Sequence, residues 1–265
     1  DVPIGAGLSS SAALSLALTR VFGIVSNLDW DPSQMARICQ LAENQWVGVN
    51  CGIMDQMISA SGQADHVTLI DCRSLKTTPV RLPKEVRVVI LDTCTRRGLV
   101  DSAYNERRKQ CESVASYFGK KALRDVSYKQ LNEAKTKIDH TQFKRARHVV
   151  QENERVLDCA ESLRLGNLEH VGKLMNSSHK SLRDDFEVSS DALDLIVENA
   201  LKAPGCFGAR MTGAGFGGCA VALVETKKSE DFVKMVLNIY KKSTGKKALI
   251  YDCRASAGTS ISTKK

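Results

Sequence analysis

Long apolar runs are absent from this sequence of 265 residues, and none approaches the roughly eighteen apolar residues that a membrane-spanning helix needs. The nine cysteines include no Cys-x-x-Cys pair, and their odd number argues against a complete disulfide framework. Mostly apolar residues surround them, which is typical of buried, reduced thiols in a cytosolic protein. We therefore expect a cytoplasmic protein that contacts no membrane.

Aromatic residues are also scarce, at 5% of the chain, and the sequence contains no zinc-finger spacing and no basic arm. The formal net charge is nevertheless +8, from 38 Lys and Arg against 30 Asp and Glu. Because these charges are dispersed through helical segments, a phosphate-bearing cofactor explains them as well as nucleic acid would. We expect small-molecule partners, no nucleic acid, and a monomer or a weak homodimer.

The most informative stretch is residues 3–14, Pro-Ile-Gly-Ala-Gly-Leu-Ser-Ser-Ser-Ala-Ala-Leu. Gly5 and Gly7 lack a Cβ, so the backbone there can approach a ligand closely. The serines precede strong helix formers and stand where they would cap a helix, whose free N–H groups and dipole favour a phosphate. The hydroxyls could add a magnesium ligand. The alternative is a turn that only caps a helix; the spacing fits neither a P-loop nor the dinucleotide fingerprint.

Two helices are predicted after this loop. Residues 11–24 are apolar nearly all round, which predicts a helix that is buried on most sides. Asp31-Pro32 opens a second helix. Its buried stripe is predicted from helical spacing as Met35, Ile38, Cys39, Ala42 and Trp46. Glu43 lies at the edge of that stripe beside two polar residues, so periodicity alone predicts that it is exposed to solvent.

Asp55 is a single carboxylate within residues 49–59, Val-Asn-Cys-Gly-Ile-Met-Asp-Gln-Met-Ile-Ser. A buried carboxylate is costly unless it is hydrogen-bonded or paired. Asp55 therefore either caps the helix that Gly52 introduces or works in a functional site. The residues themselves favour neither reading.

β-Branched runs at 67–71 and 86–91 predict strands. Pro79 and Pro83 between them predict a connector and an approximate domain boundary. The pattern from 101 to 203 is mostly helical, and a helix at about 229–242 and a strand near 248–252 are predicted beyond it. The four histidines of the helical region lack metal-ligand spacing, which predicts surface or capping roles for His140, His148, His170 and His179.

A second glycine-rich stretch, residues 211–218, reads Met-Thr-Gly-Ala-Gly-Phe-Gly-Gly and leads into the apolar run 219–224. Four glycines in six positions give up more conformational entropy than a simple turn requires. This favours a functional loop, with Gly213 and Gly215 at its centre.

Three separated features together resemble the GHMP family of small-molecule kinases: the loop at 3–12, Asp55 in Cys-Gly-Ile-Met-Asp-Gln, and the loop at 211–218. Further stretches at 69–75, 107–112 and 178–186 are similar to the members of that family that act on galactose. The resemblance covers almost the whole chain. It implies an α+β, two-domain GHMP kinase fold with the active site in the cleft between the domains. Residues 1–82 would be the remainder of the N-terminal domain, and residues 83–265 a ferredoxin-like C-terminal domain.

The resemblance also implies a reaction, the transfer of the γ-phosphoryl group of ATP to the anomeric hydroxyl of galactose. Asp55 would be the base that takes the proton from the sugar hydroxyl, and Gly52 and Tyr104 would contact the sugar. The residues implied to hold ATP are Gly5, Gly7, Ser9, Ser10, Gly213 and Gly215. Mg²⁺ would be ligated by Ser10 or Ser11 together with Glu43.

One departure from the family concerns its signature Gly-Arg-x-Asn-x-x-Gly-Glu-His-x-Asp-Tyr, which does not occur in these 265 residues. In the family this motif supplies an arginine beside the catalytic Asp and most of the hydrogen bonds to the sugar. Since the chain also starts at Asp1 with no strand before its first loop, we expect an N-terminal truncation. We also expect residues 1–265 alone neither to bind galactose well nor to turn over.

Two alternatives stay open. One is a related kinase that acts on N-acetylgalactosamine, arabinose or galacturonate. The other is a regulator that binds galactose and ATP without catalysis. The regulators of this kind lack residues in the Ser-Ser-Ser-Ala stretch, whereas residues 9–12 and Asp55 are intact here.

Overall fold

The computed structural model describes residues 2, 3, 7–48, 51–95 and 100–262, with the side chains of residues 100 and 101 left aside. Within these ranges the helices are α1 Ser10–Val25, α2 Pro32–Ala42, α3 Met54–Ser61, α4 Val100–Tyr117, α5 Tyr128–Glu133, α6 His140–Arg164, α7 Leu168–Ser181, α8 Asp191–Lys202 and α9 Ser229–Thr244. The strands are β1 His66–Ile70, β2 Thr77–Arg81, β3 Val86–Asp92, β4 Cys206–Met211, β5 Cys219–Glu225 and β6 Leu249–Cys253. Two π-helical turns, Glu43–Val47 and Leu182–Phe186, extend α2 and α7.

The strands form two antiparallel sheets. β1 and β2 make a ribbon in which Thr68 lies opposite Pro79. The other sheet has the order β4-β5-β3-β6, and all of its neighbouring strands are antiparallel. The predicted α+β fold is therefore confirmed, as are the strands predicted near 67–71 and 86–91 and the final helix and strand. The apolar run 219–224 lies in β5.

The larger sheet buries one face beneath α8 and α9. Val89 and Leu91 of β3 pack there against Ile196 of α8 and Phe232 of α9, and all four side chains are fully buried. Truncating such a side chain to alanine typically costs about 2–5 kcal/mol. This layer fixes the ends of β3, β4 and β5, and the loops between those ends form part of the site described below.

The helix α1 is exposed over much of its surface, so the prediction of burial on most sides is wrong for the described chain. Leu16 packs against Met57 in a small core beneath α1, α2 and α3, whereas Leu14 is 63% and Phe22 67% exposed. Among the described residues, only the side of α1 that faces α2 and α3 contributes to that core. An apolar sequence shows what a helix can bury, but burial requires a neighbour on each side.

The stripe predicted for α2 is correct only in part. Met35 and Cys39 are buried, but Ile38 and Ala42 are exposed and Trp46 is 89% exposed. The core faces the Met35, Ala36 and Cys39 side of α2, which leaves Ile38 and Ala42 outward. Trp46 is displaced further because the wider π-helical turn that starts at Glu43 rotates the following side chains away from the stripe.

Pro79 lies within a strand, so the predicted connector between β1 and β3 is wrong. A proline is tolerated here because β2 pairs on one side only, with β1, within the described residues. Val80 and Leu82 of this segment are buried against α6 and β5. The domain boundary between residues 82 and 83 stays a prediction.

The observed burial also corrects the predictions made for two groups of side chains. His148 and His179 are each only 6% exposed, so surface or capping roles are wrong for them. The nine cysteines, all within the described ranges, form no disulfide; Cys39 and Cys219 are buried, but Cys72 and Cys94 are exposed, against the expectation of buried thiols. Across the described residues, no helix is long and apolar enough to cross a membrane.

Candidate active site

Asp55 lies in the first turn of α3 and does not cap it. The N-cap residue is Ile53, which makes no side-chain capping bond. The Asp55 carboxylate instead accepts a hydrogen bond from Ser9. Burial raises the pKa of Asp55 above its ordinary value, the nearby charge of Glu43 raises it further, and the Ser9 hydrogen bond opposes both. Of the two roles that the sequence left open, the geometry supports a place in a site.

Ser9 has left-handed backbone angles, with φ 64° and ψ 34°, at the start of α1. Ser9 occupies the N-cap position, as the sequence predicted, but its side chain makes no capping bond. A residue with a Cβ pays about 1–2 kcal/mol in this conformation. Strain of this kind is concentrated at functional sites. The turn brings the first glycine-rich loop to within a hydrogen bond of Asp55.

Glu43 is partly buried at the start of the π-helical turn after α2, which corrects the exposed position that periodicity predicted. Its Oε2 atom accepts hydrogen bonds from the Gln56 amide at 2.6 Å and the Cys51 thiol at 3.2 Å. Burial and the bond to Glu43 raise the pKa of Cys51 to about 11. Cys51 therefore stays a protonated donor near neutral pH and holds Glu43 in place.

Tyr104 comes to the same group of residues from α4. Its phenol group hydrogen-bonds with the backbone of Gly52, and burial raises its pKa, to which the charges of Cys51 and Asp55 add. The ring remains 38% exposed. The structure thus brings Tyr104 and Gly52 beside Asp55, the three residues for which the resemblance implied contact with the acceptor.

The two glycine-rich loops touch. Gly7 and Gly213 both have positive φ, 73° and 74°, and a Cβ built on Gly213 would lie 2.8 Å from the carbonyl oxygen of Gly7. Gly215 has φ 87°, and a Cβ there would lie 2.1 Å from the carbonyl oxygen of Val188. Gly213 and Gly215 therefore accept no larger residue unless the backbone moves. Gly5 lies outside the described residues.

The second loop is held from two sides by backbone groups. The Phe216 N–H donates to the Val188 carbonyl at 2.7 Å on one side. On the other, the Gly218 N–H donates to the Thr95 carbonyl at 2.9 Å, and the Thr93 hydroxyl donates to the Gly218 carbonyl at 2.7 Å. Sequence reasoning missed both supports. The Thr-x-Thr spacing directly after β3 was the available signal for one of them.

Ser10 and Ser11 are less closely engaged. Ser10 is the first residue of α1, and Ser11 is exposed in part. In the part of the chain that the structure describes, no hydrogen bond joins either serine to Glu43. No group of three or more His, Cys, Asp and Glu side chains among the described residues could hold a metal ion. The predicted Mg²⁺ ligands are therefore one carboxylate, that of Glu43, and the hydroxyl group of Ser10 or Ser11.

A cavity of about 870 Å³ lies away from the glycine-rich loops, between the β1–β2 ribbon, α6 and the larger sheet. Val67, Leu69, Leu163 and Leu223 are among its lining residues, which are mostly apolar. Such a lining offers few partners for phosphate or sugar oxygens, so the polar group around Asp55 is the better candidate site.

Comparison with known proteins agrees with this geometry. The model of the GHMP kinases N-terminal domain matches residues 1–63, and that of the GHMP kinases C-terminal region matches residues 159–241. A galactokinase of Actinobacillus succinogenes is 47% identical over 97% of this chain and 68% of its own length. A galactokinase of Pasteurella multocida is 48% identical over 98% of this chain and 69% of its own. The chain thus spans about two thirds of these relatives.

Solved structures give the same result. A Lactococcus lactis galactokinase complexed with galactose superposes with a TM-score of 0.92 at 36% identity, covering 97% of this chain and 68% of that one. A mevalonate kinase of L. major has a TM-score of 0.61 at 18% identity, covering 95% and 67% of the two chains. At that identity the likeness concerns the fold alone.

Proposed function

Because this chain belongs to the galactokinases of the GHMP kinase family, we propose that the protein transfers the γ-phosphoryl group of ATP to the anomeric hydroxyl of galactose, giving galactose 1-phosphate. One observation carries the proposal. Asp55 is joined by Ser9 to the first glycine-rich loop, and Gly7 of that loop lies against Gly213 of the second. A carboxylate and two glycine-rich loops thus lie together.

The triphosphate is assigned to the two loops. The start of α1 presents backbone N–H groups and the positive end of the helix dipole, both of which favour phosphate oxygens. Gly7, where a built Cβ would meet no atom within 4 Å, leaves the backbone open to a phosphate, and Gly213 and Gly215 let the second loop lie directly against Gly7 and Val188 beside it. Ser9 and Ser10 add hydroxyl groups at the same helix start. Phosphoryl transfer mainly requires such positioning and neutralisation of charge.

Asp55 is assigned the role of base. It would accept the proton of the sugar hydroxyl at a carboxylate oxygen as that hydroxyl attacks the γ-phosphorus. A raised pKa makes the carboxylate a better proton acceptor than an ordinary aspartate. Tyr104 and the Gly52 backbone, which already meet each other, would orient the sugar beside it.

The donors assigned to Mg²⁺ are the Glu43 carboxylate and the hydroxyl of Ser10 or Ser11. They are hard oxygen ligands, which this ion prefers, and they are few, which suits an ion that shares its coordination with substrate phosphates and water. Both hydrogen bonds that Glu43 accepts within the described residues end on Oε2. We therefore assign Oε1 as the atom that would contact the metal ion. When bound, Mg²⁺ neutralises charge on the phosphates.

The test measures the release of ADP by the protein as its own cells produce it. Each assay contains ATP, Mg²⁺ and one sugar: galactose, N-acetylgalactosamine or arabinose. We expect galactose to give the highest kcat/KM and the Asp55→Asn variant to lose turnover while calorimetry still detects ATP binding. A preference for another sugar of the panel would replace galactose in the proposal. Binding of galactose and ATP without turnover would indicate a regulator.

A further inference from the structure

We propose that Arg107 is a positioning residue that fixes the second glycine-rich loop relative to the acceptor side of the site. The inference rests on the proposed function, since it concerns how the ATP and sugar sides of that site are held together. It also assigns a physical role within the stretches at 107–112 and 178–186, which sequence reasoning left without one.

One face of α4 carries both ends of this connection. Tyr104 and Arg107 are three residues apart, so their side chains lie on the same side of the helix. Tyr104 meets the Gly52 backbone next to Asp55. The Arg107 side chain is only 12% exposed and extends instead to the segment between α7 and α8.

The Arg107 side chain binds backbone carbonyl groups of that segment. Its Nε donates to the Phe186 carbonyl at 2.7 Å and its Nη2 to the Glu187 carbonyl at 3.2 Å. The π-helical turn ends at Phe186, and carbonyl groups at a helix end lack partners within the helix. Glu187 is left-handed, with φ 54°, so the chain turns sharply there. A fixed guanidinium fork suits two adjacent carbonyls better than a single ammonium group does.

The next residue carries the contact to the glycine-rich loop. The Val188 carbonyl accepts the Phe216 N–H at 2.7 Å. A Cβ built on Gly215 would lie 2.1 Å from the same carbonyl oxygen. The glycine-rich loop and the segment are therefore in direct backbone contact. Arg107 is therefore separated from the loop only by the backbone of residues 186–188. A shift of that backbone moves Phe216 with it.

A second arginine shows that this segment is firmly held. Arg145, 3% exposed, donates to the Asp185 carbonyl at 2.5 Å and to the Glu187 carboxylate at 2.7 Å. Burial and the charge of Arg145 both lower the pKa of Arg107. Two neighbouring cations repel each other, and the carbonyl and carboxylate oxygens of residues 185–187 offset that repulsion.

The first test compares Arg107→Lys and Arg107→Gln with Arg108→Gln. Arg108 follows on the same helix, is 54% exposed and pairs with Glu112 at 2.8 Å. It has the same charge as Arg107, but its ion pair is on the surface. We expect both Arg107 variants to raise the KM for ATP about tenfold or more, with the KM for galactose changed far less, because a loop misplaced by a fraction of an ångström loses phosphate contacts. Arg108→Gln should keep the KM for ATP within about twofold of wild type, as exposed ion pairs contribute little.

A purely structural role would lower the melting temperature and the amount of active protein while leaving both KM values unchanged, and that result would overturn the proposal. The second measurement needs no variant. On binding a non-hydrolysable ATP analogue, the wild-type protein should show slower amide exchange in residues 182–188 as well as in 212–218. Slowing in 212–218 without any in 182–188 would also overturn it. Wild-type protein that is inactive with galactose contradicts the proposed function instead.

Discussion

The backbone of Gly213 lies so close to that of Gly7 that a Cβ on Gly213 would stand 2.8 Å from the Gly7 carbonyl oxygen. The contact joins two loops from opposite ends of the chain. One loop begins α1, which carries Ser9 to Asp55, and the other connects β4 and β5 of the larger sheet. This contact therefore fixes the relative position of the two loops to which the proposed function assigns the triphosphate.

We predict that Gly213→Ala weakens ATP binding about tenfold or more, because the added methyl group collides with the Gly7 carbonyl and displaces the two loops from each other. Gly245→Ala is the matched control, since Gly245 has a similar φ of 71° but no atom within 4 Å of a built Cβ. Both variants bear the conformational penalty of about 1 kcal/mol, so both should melt at a lower temperature. Equal ATP affinities of the two variants in calorimetry would contradict this role of the contact.

Ser9 tests the environment of Asp55. The Ser9 hydrogen bond lowers the pKa of a carboxylate that burial has raised, so removing the hydroxyl should raise that pKa further. Asp55 acts as a base only when deprotonated. The acid limb of the kcat/KM profile should therefore move to higher pH in both Ser9→Ala and Ser9→Gly.

These two variants separate the hydrogen bond from the backbone strain. Glycine adopts the φ of 64° at this position freely, whereas alanine keeps the strain. Ser9→Gly should thus be the more stable variant with an equally displaced profile. An acid limb that stays in place, or moves to lower pH, would show that the Ser9 hydroxyl does not act on the base.

Glu43→Gln tests the assigned metal ligand. Glutamine keeps the size of the side chain but removes the charge, so half-maximal activity should require about tenfold more Mg²⁺. Loss of the Glu43 charge should also lower the pKa of both Asp55 and Cys51, since that charge raises both. Glu112→Gln, at an exposed site on α4, is the control. An unchanged Mg²⁺ titration would remove Glu43 from the metal site.

His148 predicts an acid-sensitive stability. It hydrogen-bonds Ser181 at 3.0 Å and packs on the Phe186 ring with centroids 4.7 Å apart. Burial lowers its pKa from 6.5 to about 4, against the charges of Glu152 and Asp185, which raise it, while Arg155 and Arg210 lower it. Because the unfolded chain then binds more protons between those pH values, the free energy of unfolding should fall as the pH drops through this window. At about 1.4 kcal/mol per pKa unit, the loss is about 3 kcal/mol.

His148→Gln should flatten the dependence of urea unfolding on pH between 6.5 and about 4, the two pKa values between which the unfolded chain alone binds the proton. His179, whose pKa burial also lowers, should keep part of the slope. His140→Gln, at an exposed helix start, should leave it unchanged. Equal slopes in wild type and His148→Gln would refute the assignment.

Much of the fold was predictable because it follows local patterns. The β-branched runs became β1 and β3, and the excess of glycine at 213–218 marked a loop where added side chains meet backbone atoms. The predictions that failed concerned residues whose burial or strand pairing depends on neighbours distant in sequence. Periodicity could not show that Phe22 is left exposed or that Pro79 lies in a strand paired on one side within the described chain.

The site was less predictable than the fold. Asp55 was identified as unusual from its apolar surroundings, but its partner Ser9 depends on a left-handed turn that no propensity favours for serine. Glu43 was drawn inward by Gln56 and Cys51, residues outside its own helix. No sequence pattern indicates that Arg107 binds the Phe186 and Glu187 carbonyls, because these residues are 79 and 80 positions further along the chain.

In the proposed function, Asp55 directs phosphoryl transfer to the anomeric oxygen of galactose. The most direct measurement is phosphorus NMR of the product formed from ATP, Mg²⁺ and galactose, by wild type and by Asp55→Asn. We predict one sugar phosphate whose phosphorus couples to the anomeric proton, and no such product from the variant. A phosphate on another hydroxyl, inorganic phosphate without a sugar phosphate, or full product from Asp55→Asn would contradict the claim.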